Sequence, residues 1–410
     1  MSNFAFGTYR VSDLNPQHVE ALKEAIESGI TLIDTSSNYM DGGAERAIAL
    51  AMRLVESDIK NEVEILSKFG YIQGTALLEY KAEFAQKKYS QEVVKYAEDC
   101  YHCISKEFVH EELSASLKNL EVDSLGCYLI HNPEYYILDA INKNISKDER
   151  LDEMYKRLEL AFVGLEEEIK KGRILSYGIS SNSFSLLETN DEFLPYEELL
   201  TLAQNAAKIV GNQKHSFTTI ELPINMLETE GLKCAMWAKK NGLRVLANRP
   251  LNAKHLNKMY RLADYKESGY YYHYFNELIE FCDNDELKVL YNLLEELEAT
   301  KHKYEWIGSY DIFFFTQIIP HVKKALEKFE PEMLENIINS INLYFIEYRK
   351  MVEYECSLRT REELKEFFRE SHLPMQEVAI KFLMKCENVD YVIVGMRKPL
   401  YVHEILSLKG

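Results

Sequence analysis

The sequence predicts an α/β protein in which eight parallel strands, each followed by a helix, close into a (β/α)8 TIM barrel. Short apolar runs alternate with amphipathic helical patterns along the chain, and this alternation indicates a parallel sheet. Three consecutive runs, at residues 30–34, 63–68 and 125–131, each end on an ionisable residue. In a parallel barrel those ends meet on one face, which is where active sites of this fold lie.

The predicted elements follow one another with short connections. The first strand covers residues 4–8, and a helix over 16–28 begins after Asn15 and stops at Gly29. We expect residues 70–105 to form a long, partly helical connection after the third strand. The other predicted elements are a helix over 44–54, a helix from Ser105 to Leu120, a helix over 151–171, strands over 174–180, 218–222 and 243–247, a helix over 374–386, a strand over 391–395 and a helix from Pro399.

A long insertion interrupts the predicted barrel after its seventh strand. The barrel domain comprises residues 1–253 and 372–410, and the insertion comprises residues 254–371. The insertion is rich in aromatic residues at helical spacing, which predicts three to five helices with a small core of their own. Two interpretations stay open: helices packed on the barrel, or a lid or interaction subdomain on the active-site face.

The composition excludes several classes of partner. A formal net charge of −18 argues against nucleic acid and anionic membrane surfaces, which bind clustered Lys and Arg. No apolar run reaches the length of about 18 residues that a membrane span needs, and no signal-type segment opens the chain, so we expect a cytoplasmic protein. The seven cysteines are scattered and predict no disulfide framework. The oligomeric state cannot be read from the sequence.

Four side chains at the predicted strand ends suggest chemistry. Asp34, Lys68 and His131 end three strands, and Tyr39 follows Asp34 by five residues. A phenol can give a proton to a carbonyl oxygen, and a neighbouring ammonium lowers its pKa from about 10. A carboxylate can hold that ammonium in place, and a histidine can orient the substrate. Taken singly, an Asp-Thr pair after a strand is more often a helix cap or turn.

This set resembles the catalytic tetrad of the aldo-keto reductases, and the resemblance covers residues 4–253 and 373–410. It implies an NADPH-dependent oxidoreductase that reduces an aldehyde or ketone, a small-molecule carbonyl substrate, to an alcohol, with Tyr39 as proton donor. Aldose-type oxidation and a low-turnover, cofactor-binding regulatory subunit are the alternatives. The matching motifs are Asp34-Thr-x-x-x-Tyr39 with Glu45, Gly178-Ile179-Ser180, Leu222-Pro223-Ile224-Asn225, Pro250-Leu251 and Val394-Gly395-Met396-Arg397.

The resemblance also implies an extended nicotinamide dinucleotide at the barrel mouth, and the sequence lacks the Gly-x-Gly-x-x-Gly pattern of a Rossmann site. NADP(H) is the expected cofactor, with NAD(H) possible. The chain departs from the family pattern in three ways: Ser181 replaces Asn, Glu221 replaces Gln, and Asn248 with Arg249 fills the place of an aromatic residue. The implied cofactor contacts are Thr8, Ser180, Ser181, Asn182, Glu221, Asn248, Arg249, Leu251, Gly395, Arg397 and Lys398.

A Cys-x-x-Cys pair, Cys100 and Cys103, lies near His102 and His110. Such a pair supplies two zinc ligands, whereas a structural zinc site needs about four. No second pair is present in the sequence. We therefore expect ordinary free thiols and no metal site, with a zinc or redox role as the less favoured interpretation.

Overall fold

The computed structural model describes residues 3–327, 329, 331–369 and 372–408. The chain divides into two compact units: Met1–Pro250 with Lys381–Gly410, and Leu251–Ile380. The second unit therefore begins three residues before the predicted insertion. The predicted end of the insertion, residue 371, lies outside the described residues.

Strands alternate with helices through the first unit. The strands of both units are, in chain order, β1 (Asn3–Gly7), β2 (Leu32–Asp34), β3 (Glu64–Phe69), β4 (Tyr71–Ile72), β5 (Val94–Ala97), β6 (Cys100–His102), β7 (Cys127–His131), β8 (Tyr177–Ser180), β9 (Phe217–Pro223), β10 (Arg244–Asn248), β11 (Asn252–His255), β12 (Lys258–Arg261) and β13 (Tyr391–Val394), of which β11 and β12 belong to the second unit. The helices of this unit are α1 (Pro16–Glu27), α2 (Gly43–Leu54), α3 (Ser57–Lys60), α4 (Gly74–Glu83), α5 (Lys106–Leu120), α6 (Tyr135–Asn142), α7 (Lys147–Lys170), α8 (Leu199–Val210) and α9 (Gly231–Lys240).

Eight parallel strands close into a barrel in the order β1-β13-β10-β9-β8-β7-β3-β2, and β2 pairs back onto β1. The predicted α/β fold, a (β/α)8 TIM barrel, is confirmed. Strands that follow one another in the barrel are hydrogen-bonded neighbours, as this topology requires. All eight strands belong to the first unit.

The barrel interior is filled by apolar side chains from alternate strand positions. The inward positions of one layer carry small or branched residues, so these side chains fill the lumen there as a packed core rather than a pore. Below this layer, Arg244 of β10 makes a bidentate ion pair with Glu64 of β3, at 2.6 and 2.8 Å. The buried cluster consists of Ala5, Leu32, Leu66, Cys127, Leu129, Leu246 and Ile393.

Capping residues set the helix starts. Asn15 accepts a hydrogen bond from the Gln17 amide at the start of α1, and Ser105 accepts one from Phe108 at the start of α5. Helix α7 begins four residues before the predicted position 151, because Ser146 and Glu149 form a capping box. The sequence contains this Ser-x-x-Glu signal, and the prediction overlooked it.

The sequence prediction of the connection after β3 missed one feature, a small sheet. The connection is partly helical, as expected, through α4, but it also contains a three-stranded antiparallel sheet in the order β4-β6-β5. Each strand has only two to four residues. Runs this short show no readable alternation, so their pairing is decided by tertiary contacts. Helix α6 was also not predicted.

The second unit contains a hairpin and helices with their own core. The antiparallel hairpin β11–β12 begins it and was not predicted. Tyr271, Tyr310, Tyr344 and Tyr348 are buried in its core cluster. Among its described residues the helices before the return to the barrel are α10 (Tyr271–Phe281), α11 (Lys288–Thr300), α12 (Ile307–Phe313), α13 (Ile319–Leu326), α14 (Pro331–Glu363) and α15 (Lys365–Phe368).

The chain returns to the barrel through α16 (Met375–Met384), which spans the division between the units, and then β13 and α17 (Pro399–Ser407). Across the described ranges, no helix combines the length and the apolar character needed to cross a membrane.

Gly178 permits the close approach of β8 and β9. A Cβ atom there would lie 2.0 Å from the Thr219 carbonyl oxygen and 2.8 Å from Leu129 Cδ2. Gly395 is the matched contrast, since the nearest atom to its Cβ would be 3.9 Å away and its φ is not left-handed.

Gly178→Ala will lower the free energy of unfolding of the barrel by about 1–3 kcal/mol or more, because backbone must move to admit the methyl group. Gly395→Ala will change it by less than about 0.5 kcal/mol. Urea unfolding in a Trp306→Phe background leaves Trp237 of α9 as the fluorescent reporter of the barrel unit. Equal destabilisation by the two substitutions would contradict the assignment of Gly178.

Candidate active site

The carboxyl ends of β2, β3 and β7 bring the predicted residues together. Asp34 and His131 are the last residues of β2 and β7, and Lys68 is the last but one of β3. Parallel pairing aligns Asp34 with Leu66 and Lys68 with Leu129, so all three side chains lie at the same end of the barrel. Active sites of this fold lie on that face.

Lys68 is the centre of the site. Its side chain has no solvent exposure, and its Nζ donates to the Asp34 carboxylate and to the Thr35 carbonyl oxygen at 3.2 Å. Nζ also lies 3.3 Å from Oε2 of Glu221 in β9. Burial lowers the pKa of Lys68, but the two carboxylates raise it more, so the side chain stays an ammonium. The prediction named Asp34 as the partner of Lys68 and did not foresee Glu221 as a second one.

Tyr39 lies in the turn that follows β2. The turn is fixed by hydrogen bonds from the Ser37 amide to the Lys68 carbonyl oxygen, at 3.1 Å, and from the Tyr39 amide to the Ser36 carbonyl oxygen, at 3.1 Å. Lys68 Nζ is 5.4 Å from the centroid of the Tyr39 ring, and the His131 ring is 5.8 Å away at an edge-on angle. The four predicted groups are therefore neighbours.

The acidity of Tyr39 differs from the expectation. We expected Lys68 to lower the pKa of the phenol below its ordinary value. Burial raises this pKa, Lys68 lowers it, and Asp34 and Glu221 raise it again, so the net value lies above 10. The expected effect of lysine is present but is outweighed. Tyr39 therefore stays a neutral phenol throughout the physiological pH range.

His131 is held by Ser36, a residue that the sequence interpretation did not assign. Ser36 Oγ lies 3.1 Å from Nδ1 of His131. Burial, followed by the charge of Lys68, lowers the pKa of His131 well below its usual range, so the ring is neutral. The one hydroxyl proton of Ser36 is also directed at Asn38 Oδ1, 2.7 Å away, so the contact orients the His131 ring without assigning its proton to either nitrogen. Ser36 lies two residues after Asp34, within the stretch already singled out.

Glu134 supports the loop after β8 and was also missed. It accepts hydrogen bonds from the Ser181 hydroxyl, at 2.8 Å, and from the Asn182 amide, at 2.9 Å. Ser180 ends β8, and its carbonyl oxygen accepts from the Asn132 amide at 2.7 Å. The Ser181 hydroxyl and the Asn182 backbone amide thus hold the loop in place. Glu134 follows His131 by three residues, and that proximity is the only sequence signal for it.

Glu221 and Asn248 contact each other at the ends of β9 and β10. Asn248 Nδ2 donates to Glu221 Oε1 at 2.9 Å. The other amide atom of Asn248, Oδ1, is buried and has no hydrogen-bond partner in the described part of the chain. Thr8, at the end of β1, donates its hydroxyl and its amide to the Asp34 carbonyl oxygen, at 2.9 and 3.0 Å.

The cationic candidates lie at the ends of β10 and β13. Arg249 has a left-handed backbone (φ 52°) and pairs with Glu228 at 3.0 Å, while its buried Nε has no hydrogen-bond partner among the described residues. Gly395, Arg397 and Lys398 follow β13, and the charges of Arg397 and Lys398 reach His18, whose pKa is lowered first by burial and then by them. Leu251 is buried and belongs to the second unit.

Aromatic rings surround Tyr39 and His131. The Tyr9 ring lies edge-on to Tyr39 at 5.2 Å, and the Tyr71 ring lies edge-on to His131 at 4.8 Å. Tyr71 OH accepts from Asn132 Nδ2 at 2.6 Å and lies 3.4 Å from Tyr135 OH. Because Tyr71 comes from β4, the small sheet contributes directly to this surface. The sequence analysis gave Tyr71 no role.

The cysteines show no metal-binding arrangement. Cys100 and Cys103 are buried, and burial raises the pKa of the Cys103 thiol to about 12. His102, between them, donates from Nε2 to the His131 carbonyl oxygen, 2.7 Å away, and burial lowers the pKa of His102 to about 4. Within the described ranges, no three His, Cys, Asp or Glu residues are grouped to hold a metal ion.

Glu134→Gln will remove a pH dependence of stability. Burial raises the pKa of Glu134 from 4.5 to about 7, although its hydrogen bonds lower it. The native state therefore binds its proton more tightly than the unfolded state. Stability from this group is complete below pH 4.5 and is lost as pH rises to about 7.

Between those pH values the wild-type free energy of unfolding should fall by up to roughly 3 kcal/mol relative to Glu134→Gln. Glutamine can keep both hydrogen bonds, since its oxygen accepts from Asn182 and its amide donates to Ser181. Urea unfolding at pH 5, 6, 7 and 8 measures the difference, with the exposed Glu62→Gln as control. Parallel curves for wild type and Glu134→Gln would contradict the assignment.

Comparison with known proteins places the chain in a family. The family model described as "Aldo/keto reductase family" matches residues 3–408. A search of curated proteins gives no significant match. An aldo-keto reductase from Bacillus halodurans (holo form) has 14% identity, with 99% of this chain and 86% of that chain covered and a TM-score of 0.47.

The glycerol dehydrogenase of Gluconobacter oxydans has 15% identity, with coverage of 99% and 86% and a TM-score of 0.47. An aldo/keto reductase from Klebsiella pneumoniae, in complex with NADP and acetate, has 20% identity, with coverage of 60% and 64% and a TM-score of 0.37. The family model, which matches almost the whole chain, carries the assignment. The chain belongs to the aldo/keto reductase family and is an oxidoreductase of that type.

Proposed function

We propose that the chain reduces an aldehyde or ketone to an alcohol with NADPH, and that Tyr39 donates the proton. The observation that carries the proposal is the convergence of a phenol, a buried ammonium, a carboxylate and a neutral imidazole at the carboxyl end of the barrel. Lys68 joins Asp34 on one side and faces the Tyr39 ring at 5.4 Å on the other. Family membership supports the use of a nicotinamide cofactor.

Unpartnered polar atoms near these groups fit such a cofactor. Asn248 Oδ1 is a buried acceptor without a partner in the described ranges, which suits the amide hydrogens of a carboxamide. Arg249 Nε is a buried donor that also has no hydrogen-bond partner in the described ranges, and such a donor suits a phosphate oxygen. Space for a Cβ at Gly395 shows that the fold itself does not require glycine there, so a ligand can approach the backbone.

The residues that would hold the cofactor divide into two groups. Ser180, Glu221 and Asn248 would contact the nicotinamide carboxamide, with Thr8, Ser181 and Asn182 shaping that side. Arg249, Arg397 and Lys398 would contact phosphate groups, and Leu251 remains a proposed apolar contact. When bound, the reduced cofactor supplies a hydride to the carbonyl carbon. Two cations after β13 favour NADPH over NADH, because guanidinium and ammonium groups bind an added phosphate.

Side chains of this protein would protonate the carbonyl oxygen and stabilise the negative charge that develops on it. Tyr39 is neutral at physiological pH and can donate its phenolic proton as negative charge develops on that oxygen. Lys68, held by Asp34, stabilises the phenolate that remains. His131, neutral and oriented at Nδ1 by Ser36, can donate to the same oxygen in the tautomer that carries its proton on Nε2. Donors fixed in a buried site stabilise developing charge without reorganising.

Tyr39→Phe will lower the rate of carbonyl reduction by about 10²–10⁴-fold, because the proton donor is removed while the ring stays in place. NADPH affinity will change little. The assay follows NADPH absorbance with a panel of aldehydes and ketones, and titration calorimetry measures NADPH binding. Tyr155→Phe, which loses a phenol on α7, is the matched control. Retained turnover in Tyr39→Phe would contradict the assigned role.

Arg397→Glu will weaken NADPH binding by roughly 10–100-fold, as expected for a lost charge-assisted contact and an added repulsion. NADH binding will weaken less, because it lacks the additional phosphate. Calorimetric titration of both nucleotides gives the two ratios. Lys60→Glu makes a similar charge change at an exposed position at the end of α3 and serves as control. Equal losses for both nucleotides would remove the preference for NADPH.

Tight NADPH binding without turnover on any carbonyl would favour the regulatory alternative. Turnover only of alcohols with NADP⁺ would favour the oxidising alternative. Product analysis in both directions separates these outcomes.

A further inference from the structure

The buried cluster around Lys68 contains one carboxylate too many. Asp34 and Glu221 both lie within ion-pairing distance of Lys68 Nζ, and the exposed fractions of the three side chains are 5%, 2% and 0%. With all groups in their ordinary ionised forms, the cluster would carry a net charge of −1. An uncompensated buried charge costs several kcal/mol, and proteins usually avoid that cost by binding or releasing a proton.

The neighbouring groups do not supply the missing positive charge. Besides Lys68 from β3, the titratable groups that face the pair are Tyr39 from the turn after β2 and His131 from β7. Tyr39 is a neutral phenol, and His131 is a neutral imidazole because burial and Lys68 disfavour its cation. Asn248 Nδ2 donates a hydrogen bond to Glu221 but carries no charge.

The hydrogen bonds of Glu221 locate the missing proton. Its Oε1 accepts from Asn248, whereas its buried Oε2 lies 3.3 Å from Lys68 Nζ as an ion pair and makes no hydrogen bond among the described residues. Burial raises the pKa of Asp34 and Glu221 raises it further, whereas Lys68 lowers it. Both carboxyl groups lie at the same ammonium nitrogen. Two ionised carboxylates can only accept hydrogen bonds, whereas one bound proton lets either carboxyl group act as a donor.

We propose that Asp34 and Glu221 share one proton beside Lys68, so that the cluster is electrically neutral and Glu221 acts as a positioning residue that maintains the charge balance around Tyr39. With the shared proton, Glu221 resembles a glutamine in two respects. It accepts from Asn248 as a glutamine would, and it adds no net charge beside the Tyr39 phenol while the proton stays bound.

The protonation of each carboxyl group should depend on the presence of the other. With Asp34 or Glu221 replaced by its amide, the remaining carboxylate is alone with Lys68 and ionises, because one anion and one cation already balance. The proton therefore belongs to the pair and not to either residue. Only the effect of Glu221 on turnover rests on the proposed function, since the protonation state exists in the nucleotide-free chain.

Infrared spectroscopy of the nucleotide-free chain at pH 7 tests the proposal directly. Difference spectra of wild type against Glu221→Gln and against Asp34→Asn should each show the loss of one carboxylic-acid carbonyl band. The Glu134→Gln difference spectrum identifies an independent buried carboxyl group, whose band should persist in both variants. Survival in Asp34→Asn of the band that Glu221→Gln removes, or no lost band in either variant, would overturn the shared proton.

The pH dependence of stability is the second measurement, and it does not depend on Asp34→Asn folding. The native pair holds one more proton than the unfolded chain above pH of about 4.3, so stability falls with rising pH in wild type. In Glu221→Gln this term is absent. The ratio of the folding constants of wild type and Glu221→Gln should therefore fall about tenfold per pH unit until the pair ionises. A ratio that does not vary between pH 5 and 8 would overturn the proposal.

Neither measurement involves a substrate or a nucleotide, so the inference and the proposed function fail separately. A pair that shares a proton in a chain without reductase activity would leave the inference intact and refute the function. Reductase activity that requires Tyr39, together with two ionised carboxylates in the infrared spectrum, would do the reverse.

Discussion

The site depends on keeping one ammonium group charged where water cannot reach it. Lys68 has no exposed side-chain area, and removing an ammonium from water costs several kcal/mol unless it is paired. Its partners come from β2 and β9, and β9 is separated from β3 in the barrel by β7 and β8. Only closure of the barrel brings these carboxylates to the same point. The charge balance of the site therefore requires the closed barrel.

The sequence predicted the barrel because its signals are regular and repeated. Each barrel strand is an apolar run, each is followed by a helix, and errors at single boundaries do not alter the count. The elements that were missed are short or isolated. The sheet of β4, β5 and β6 and the hairpin β11–β12 depend on pairing between segments of two to four residues, and the early start of α7 depends on one capping box. The division of the chain at Leu251 lies three residues before residue 254, where the family resemblance stops and the insertion is predicted to begin.

The site was predictable where a residue ends a strand and unpredictable where it acts through another residue. Asp34, Lys68 and His131 could be found because topology alone places strand ends together. Ser36 and Glu134 could not be assigned, because their roles are hydrogen bonds made by loop side chains whose direction no pattern encodes. The balance between burial and lysine at Tyr39 is likewise a property of the assembled site, since solvent exclusion cannot be read from spacing.

Two residues that depart from the family pattern, Glu221 and Asn248, contact each other in the structure. Glu221, in place of glutamine, and Asn248, in place of an aromatic ring, are joined by a hydrogen bond of 2.9 Å. A carboxyl group at the first position needs a donor, and the second position provides one. That leaves Oε2 facing Lys68, where a second full negative charge would compete with Asp34 for the same ammonium. Because an uncompensated buried charge costs several kcal/mol, the proposed shared proton would allow the change at Glu221 to coexist with an intact Asp34–Lys68 pair.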